Sequence, residues 1–163
     1  MTTIAMYTDG PQAATGELRR VLERAEALDD VPYVALAAGG LAWTAYMMGD
    51  IRTAGRWTLR TMLAGYGNRD LAGSTVSLPI GAIMALALGK PREAATILGA
   101  FEALAERFGV RPPMALAAMI AGADPLERAR ESLQPGEFNE ALERGRRMTL
   151  GETLDLVVGL GML

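Results

Sequence analysis

From Thr15 to about Leu28, apolar residues fall at Leu18, Val21, Leu22, Ala25 and Leu28, while Arg19, Arg20, Glu23, Arg24 and Glu26 hold the positions between. That spacing puts hydrophobic side chains on one face of a helix and charge on the other, so it predicts an amphipathic helix whose stripe needs a partner. Asp29-Asp30-Val31-Pro32 breaks the pattern, because the residue before a proline is disfavoured in helical conformation. A second helix is expected from Tyr33 to Met48, rich in Ala and Gly. Gly39 and Gly40 inside it each cost about 1 kcal/mol relative to alanine. They predict a close approach by a neighbouring helix and a central position, with Trp43 and Tyr46 near the surface or at a helix contact. A third helix is expected from Ile51 to about Tyr66, in which Arg52, Arg56 and Arg60 run four apart beside Ile51, Ala54, Leu59 and Met62. Gly65-Tyr66-Gly67-Asn68 has helix-stop chemistry. The fourth helix covers roughly Arg69 to Leu88, and Pro79 within it predicts a kink or a broken start, with Ser74, Thr75 and Ser77 placed to bond freed carbonyls. Pro91 can open a fifth helix, along which Ala94, Ile97, Leu98, Phe101, Leu104, Ala105 and Phe108 recur at helical spacing until Gly109.

Two of these junctions repeat. Gly49-Asp50 followed by Ala54 is matched forty residues later by Gly89-Lys90 followed by Ala94. The chain therefore reads as a repeated helical hairpin. After Arg111-Pro112-Pro113, shorter helices are expected over Met114 to about Ala121, Pro125–Leu133, Pro135–Arg147 and Leu150 to about Leu160. Asp124 is a good N-cap ahead of Pro125, and Thr149 with Glu152 has the form of a capping box. The last helix is very apolar and is expected to lie back over the end of the preceding hairpins. The expected fold is all-α: stacked helical hairpins forming an α-α superhelix of about seven or eight helices, closed by a C-terminal capping helix. It is expected as one domain over 1–163, with an irregular segment at 1–10, hairpins over 11–109 and capping helices over 110–163. Within the first segment, Ile4, Met6 and Tyr7 can fold back over an exposed helix end.

Composition narrows the chemistry. With 163 residues, half of them hydrophobic, the chain is long enough to bury a core. It contains neither cysteine nor histidine. Disulfides, thiolate nucleophiles and the commonest metal ligand are thereby removed, along with the usual base of nucleophile triads, so no enzyme activity, cofactor or metal is expected. The net charge of −3 disfavours a nucleic-acid-binding face. No apolar run approaches about 18 residues and no signal peptide is visible. A cytoplasmic protein that contacts neither membrane nor nucleic acid is expected.

The turn and the small residues that follow it, Gly49-Asp50 with Ala54 and Gly89-Lys90-Pro91-Arg92-Glu93-Ala94, resemble those of tetratricopeptide repeats. That family repeats at about 34 residues instead of forty. A longer stretch, from Leu86 to Leu160, resembles the C-terminal end of the repeat region in large bacterial ATPase-containing transcriptional regulators of the LuxR type and their adenylate-cyclase relatives. The matching positions are Ala94, Ala95, Leu98, Gly99 and Ala100, then Pro112 and Pro113, then Gly136, Glu137 and Phe138, and finally Leu150, Glu152 and Leu154. The resemblance implies a helical sensor or scaffold region without catalysis. The phosphate loop and basic recognition helix of such regulators are missing here, which suggests either a short independent protein or a detached terminal piece.

Two functions remain. One is a protein-protein interaction module that takes a protein or peptide partner, with Tyr33, Trp43, Tyr46, Arg52, Arg56 and Arg60 as candidate contacts. The commoner meaning of such an arginine line is a solvated face, with Trp57 packed on the arginine stems. The stripe at Leu18, Val21, Leu22 and Leu28 adds a homodimer to this reading. The other is a small-molecule sensor with a pocket lined by Trp43, Met47, Ser77 and Met84. A third, enzymatic reading with Asp50, Asp70 or Glu93 as acid-base groups is weaker, because carboxylates at helix starts meet the dipole favourably without any catalytic role.

Overall fold

The structure, a computed structural model, describes residues 10–112 and 114–161, and every regular element among them is an α-helix. In chain order these are α1 (Gly10–Ala27), α2 (Val31–Met47), α3 (Ile51–Gly67), α4 (Leu71–Ala87), α5 (Pro91–Phe108), α6 (Met114–Ala123), α7 (Pro125–Glu131), α8 (Pro135–Arg146) and α9 (Leu150–Val158). Ile4, Met6, Tyr7 and Pro113 lie outside the described residues.

One junction, used repeatedly, sets the spacing. Helices α2 to α5 begin at residues 31, 51, 71 and 91, each twenty after the last. The residue two before each start is left-handed: Asp29 (φ 52°), Gly49 (78°), Arg69 (60°) and Gly89 (69°). A left-handed residue turns the chain back so that amides just past a helix meet its last free carbonyls. Gly49 N–H donates to Tyr46 O (2.9 Å) and Asp50 N–H to Ala45 O (2.9 Å); Gly89 and Lys90 repeat these bonds to Leu86 and Ala85. The next residue also starts the following helix. The carboxylates of Asp30, Asp50 and Asp70 accept the backbone N–H of Tyr33, Thr53 and Gly73. Three residues thus close one helix and open the next, and within the two units α2 packs back on α1, α3 on α2 and α5 on α4 as hairpins.

Three helix starts differ from expectation. Helix α1 begins at Gly10 instead of Thr15, and α2 begins at Val31 with Pro32 in its first turn. Proline has no N–H to lose there and its φ is already helical, so it starts these helices and does not stop them. Arg69, expected to open the fourth helix, is the left-handed residue before it.

The chain divides into two compact units, one of residues up to Arg69 and one of Asp70–Gly161. In the first, α2 packs against α1 on one side and α3 on the other. Ala14, Leu18 and Leu22 of α1 form a buried cluster with Ala37 and Leu41 of α2, against which Val21, Val34 and Trp57 pack. The α1 stripe is therefore covered within the chain at Leu18 and Leu22, and only Leu28 stays exposed. This corrects the expectation of an open stripe.

In the second unit α4 packs against α5, α6, α7 and α9. Helix α4 is continuous through Pro79. The hydroxyls of Thr75 and Ser77 donate to Leu71 O and Gly73 O. They do not reach the carbonyl of Thr75, four residues before Pro79, which is the one proline deprives of its usual donor. Helices α5 and α8 cross at two glycines: a methyl group added at Gly99 would strike the carbonyl oxygen of Leu142, and one at Gly145 would strike that of Thr96. Beside this crossing, Arg92 pairs with Glu140 at 3.3 Å and Arg146 with Glu102 at 2.8 Å. The capping box of α9 forms, with Thr149 N–H donating to Glu152 (2.7 Å). Leu150, Leu154 and Val157 are buried as α9 lies on α4 and α5. Lys90 Nζ donates to Leu160 O (3.0 Å), tying the chain just past α9 to the start of α5.

Candidate functional site

All six candidate contact residues lie in the first unit, on α2 and α3. They do not form one patch. Arg60 forms an ion pair with Glu26 of α1 and lies over the ring of Trp57, 5.5 Å from its centroid. Its charge is thus engaged at the place where α3 meets α1. Arg56 donates to the hydroxyl of Thr53 (3.1 Å), and Arg52 is exposed one turn earlier. Asp50 stands at the head of this line. Its carboxyl is held below the usual carboxylate range, first by the backbone N–H and hydroxyl of Thr53 and then by Arg56 and Arg52. It caps a helix, as does Asp70, while Glu93 sits in the first turn of α5.

The aromatic residues belong to a different surface. Trp43 and Tyr46 are half-buried and stack on each other, with centroids 5.3 Å apart. Tyr33 is 56% exposed and joins Val21, Arg24, Ala25, Leu28 and Asp30 around a cavity of about 270 Å³ between the end of α1 and the start of α2. On the same side of α2, Leu36 is 68% exposed and Met47 57%. Positions 36, 43 and 47 fall close together around a helix, at i, i+7 and i+11.

Helix α2 is the middle helix of its unit, packed by both α1 and α3 as expected, yet it is not covered all round. Helix α2 carries no charged residue over Val31–Met47, and such a helix is ordinarily buried all round. Here α1 and α3 flank it and converge on one side, where Trp57 packs against the buried cluster and Arg60 meets Glu26. The opposite side, at Leu36, Trp43 and Met47, stays open. Helix α4 also lacks charge, yet at the positions forty residues on from Leu36 and Trp43, Val76 is half-buried and Ile83 is buried, while Ala87, the counterpart of Met47, is exposed. Sequence reading missed Leu36 as a surface residue because an apolar helix shows no polar face from which an exposed side can be told.

The residues offered for a ligand pocket are not gathered within either unit. Trp43 and Met47 belong to the first unit, Ser77 and Met84 to the second, and Met84 is fully buried. The hydroxyls of Thr44, Thr58, Thr96 and Thr153 donate to carbonyls of their own helices. Among the described residues no buried side-chain polar atom lacks a partner. A further open groove, of about 550 Å³, lies in the second unit among Arg92, Glu140, Glu143, Arg144 and Arg147. No group of acidic residues among those described has the arrangement of a metal site, and no described helix is long and apolar enough to cross a membrane. Comparison of the chain with protein-family models, with curated proteins and with solved structures returns no match.

Proposed function

We infer that this chain is a non-catalytic, cytoplasmic helical-repeat module that docks a protein or peptide partner, kin to the C-terminal repeat region of bacterial ATPase-containing regulators. One observation carries the reading. A charge-free helix keeps Leu36, Trp43 and Met47 on its open side. Burying a fully exposed side chain of that size gains about 1.5–3 kcal/mol, so a contiguous row of them favours association. Tyr33, itself exposed, extends the row. The sensor reading draws less support, because the buried polar groups are already satisfied by the protein itself.

The reading is tested with the full chain as bait in extracts of its native cell. The wild type and an Arg56→Ala variant are expected to retain the same partner, and Leu36→Glu to lose it. Equal recovery by all three removes the α2 face from the proposal. A parallel thermal-shift screen against metabolites and nucleotides addresses the sensor reading, since a true ligand raises the melting temperature with its concentration.

A further inference from the structure

We propose that the turn between α3 and α4, residues 65–70, is a hinge at which the chain bends while each unit keeps its own fold. The four junctions of the twenty-residue step are controls for one another. In three of them the third residue past the helix closes the turn: Asp30 N–H donates to Ala25 O (2.9 Å), Asp50 N–H to Ala45 O (2.9 Å) and Lys90 N–H to Ala85 O (2.8 Å). The fourth makes only the inner bond, from Arg69 N–H to Tyr66 O (3.1 Å), and Asp70 N–H does not reach Gly65 O. Leu71 N–H does not reach Arg69 O either, whereas Val31 and Ile51 reach Asp29 and Gly49 at 3.1 and 3.0 Å. The sequence departs at the same place. Where the other helix ends carry Ala25 and Ala27, Ala45 and Met47, and Ala85 and Ala87, α3 carries Gly65 and Gly67; where Leu28, Met48 and Leu88 follow, here it is Asn68. Glycine loses more backbone freedom in a helix than alanine does, so the last turn of α3 unwinds more readily than the other three, and it lacks the bond that would close it. Arg69 adds a side chain at a left-handed position. The other three junctions lie inside a compact unit, and this one lies where the chain divides. Hinges are a few residues at element ends that absorb changes in φ and ψ, and this turn is the one of the four left free to do so.

Hydrogen exchange of the full chain compares the four amides within one molecule. Asp70 N–H is expected to exchange about tenfold faster than those of Asp30, Asp50 and Lys90, corrected for intrinsic rates, because it lacks their partner. The bending is read separately. The chain has no cysteine, so spin labels at Glu23→Cys and Glu106→Cys, both exposed and one in each unit, report alone. Their distance distribution, from double electron-electron resonance, is expected to be about twice as broad as that of a pair within the first unit, Glu23→Cys with Arg52→Cys. A triple variant, Gly67→Ala with Asn68→Leu and Arg69→Gly, copies residues 87–89 at three exposed positions. It is expected to slow Asp70 exchange to the rate of the other three amides and to narrow the distribution to that of the control pair. Equal protection of the four amides in the wild type overturns the proposal, as does a wild-type distribution no broader than the control. A broad distribution that the triple variant leaves unchanged places the bending elsewhere and overturns it too.

Discussion

Asp29, Gly49, Arg69 and Gly89 share one backbone conformation and only two of them are glycine. A side chain at a left-handed position costs about 1 kcal/mol or more, because its Cβ crowds the following carbonyl. Nothing lies within 4 Å of a Cβ built at Gly49 or Gly89, so alanine at either meets only this backbone cost. Gly49→Ala and Gly89→Ala should each destabilise by about 1 kcal/mol, and Arg69→Gly should stabilise by somewhat less, since glycine also loosens the unfolded chain. Urea denaturation of the three variants measures both signs. The same pattern explains what the sequence concealed. Glycine advertises a left-handed turn, whereas aspartate and arginine do not, so a step of twenty residues was legible only as a repeat of forty. A second residue-scale expectation concerns pH. The folded-state pKa of Asp50 lies below its unfolded value, so its contribution is present above the unfolded carboxylate range, near pH 4, and is lost as pH falls through the lowered folded value. Asn at this position still accepts the Thr53 N–H but cannot ionise. The stability deficit of Asp50→Asn at neutral pH should therefore shrink below about pH 4; a deficit constant with pH would contradict it.

At the scale of elements, glycines inside helices have two opposite meanings. Gly39 has only ordinary contact with Thr61, at 3.8 Å, and Gly40 faces the movable end of the Leu18 side chain. Gly99 and Gly145 face backbone, which cannot yield without separating α5 from α8. The Gly39-Gly40 pair was the visible signal of a close helix approach, yet the crossing made backbone to backbone is at Gly99 and Gly145. Gly99 stood out only through a family resemblance, and Gly145 sits between arginines in a polar run that shows nothing. Gly39→Ala should stabilise by up to about 1 kcal/mol through helix propensity. Gly99→Ala and Gly145→Ala should cost about 3 kcal/mol, the upper range for overpacking a tight interface. Thermal denaturation followed by circular dichroism orders the variants, and a Gly145→Ala protein as stable as the wild type would refute the crossing. The helices themselves were legible because caps and apolar spacing are local. The open side of α2 was not, because exposure depends on which neighbours arrive.

For the whole molecule, the division at Arg69 and Asp70 has a measurable consequence. Each unit holds buried residues of its own: Leu18, Leu22 and Leu41 in the first, Ile83, Ile97, Leu104 and Val157 in the second. In arrays of helical hairpins, stability is a sum of terms within units and between neighbours, so damage need not spread through the chain. Both tryptophans, Trp43 and Trp57, lie in the first unit, whereas helices of both units contribute to circular dichroism. Tryptophan fluorescence thus reports one unit and the far-ultraviolet signal reports the sum. In Gly145→Ala, which harms only the second unit, the ellipticity is expected to fall in an earlier transition while tryptophan emission holds at the wild-type midpoint. Hydrogen exchange should agree, with amides of 71–108 losing protection and those of 31–67 retaining it. Coincident transitions would mean that the chain unfolds as a single cooperative body, and that a partner seated on α2 would stabilise residues as distant in sequence as α9.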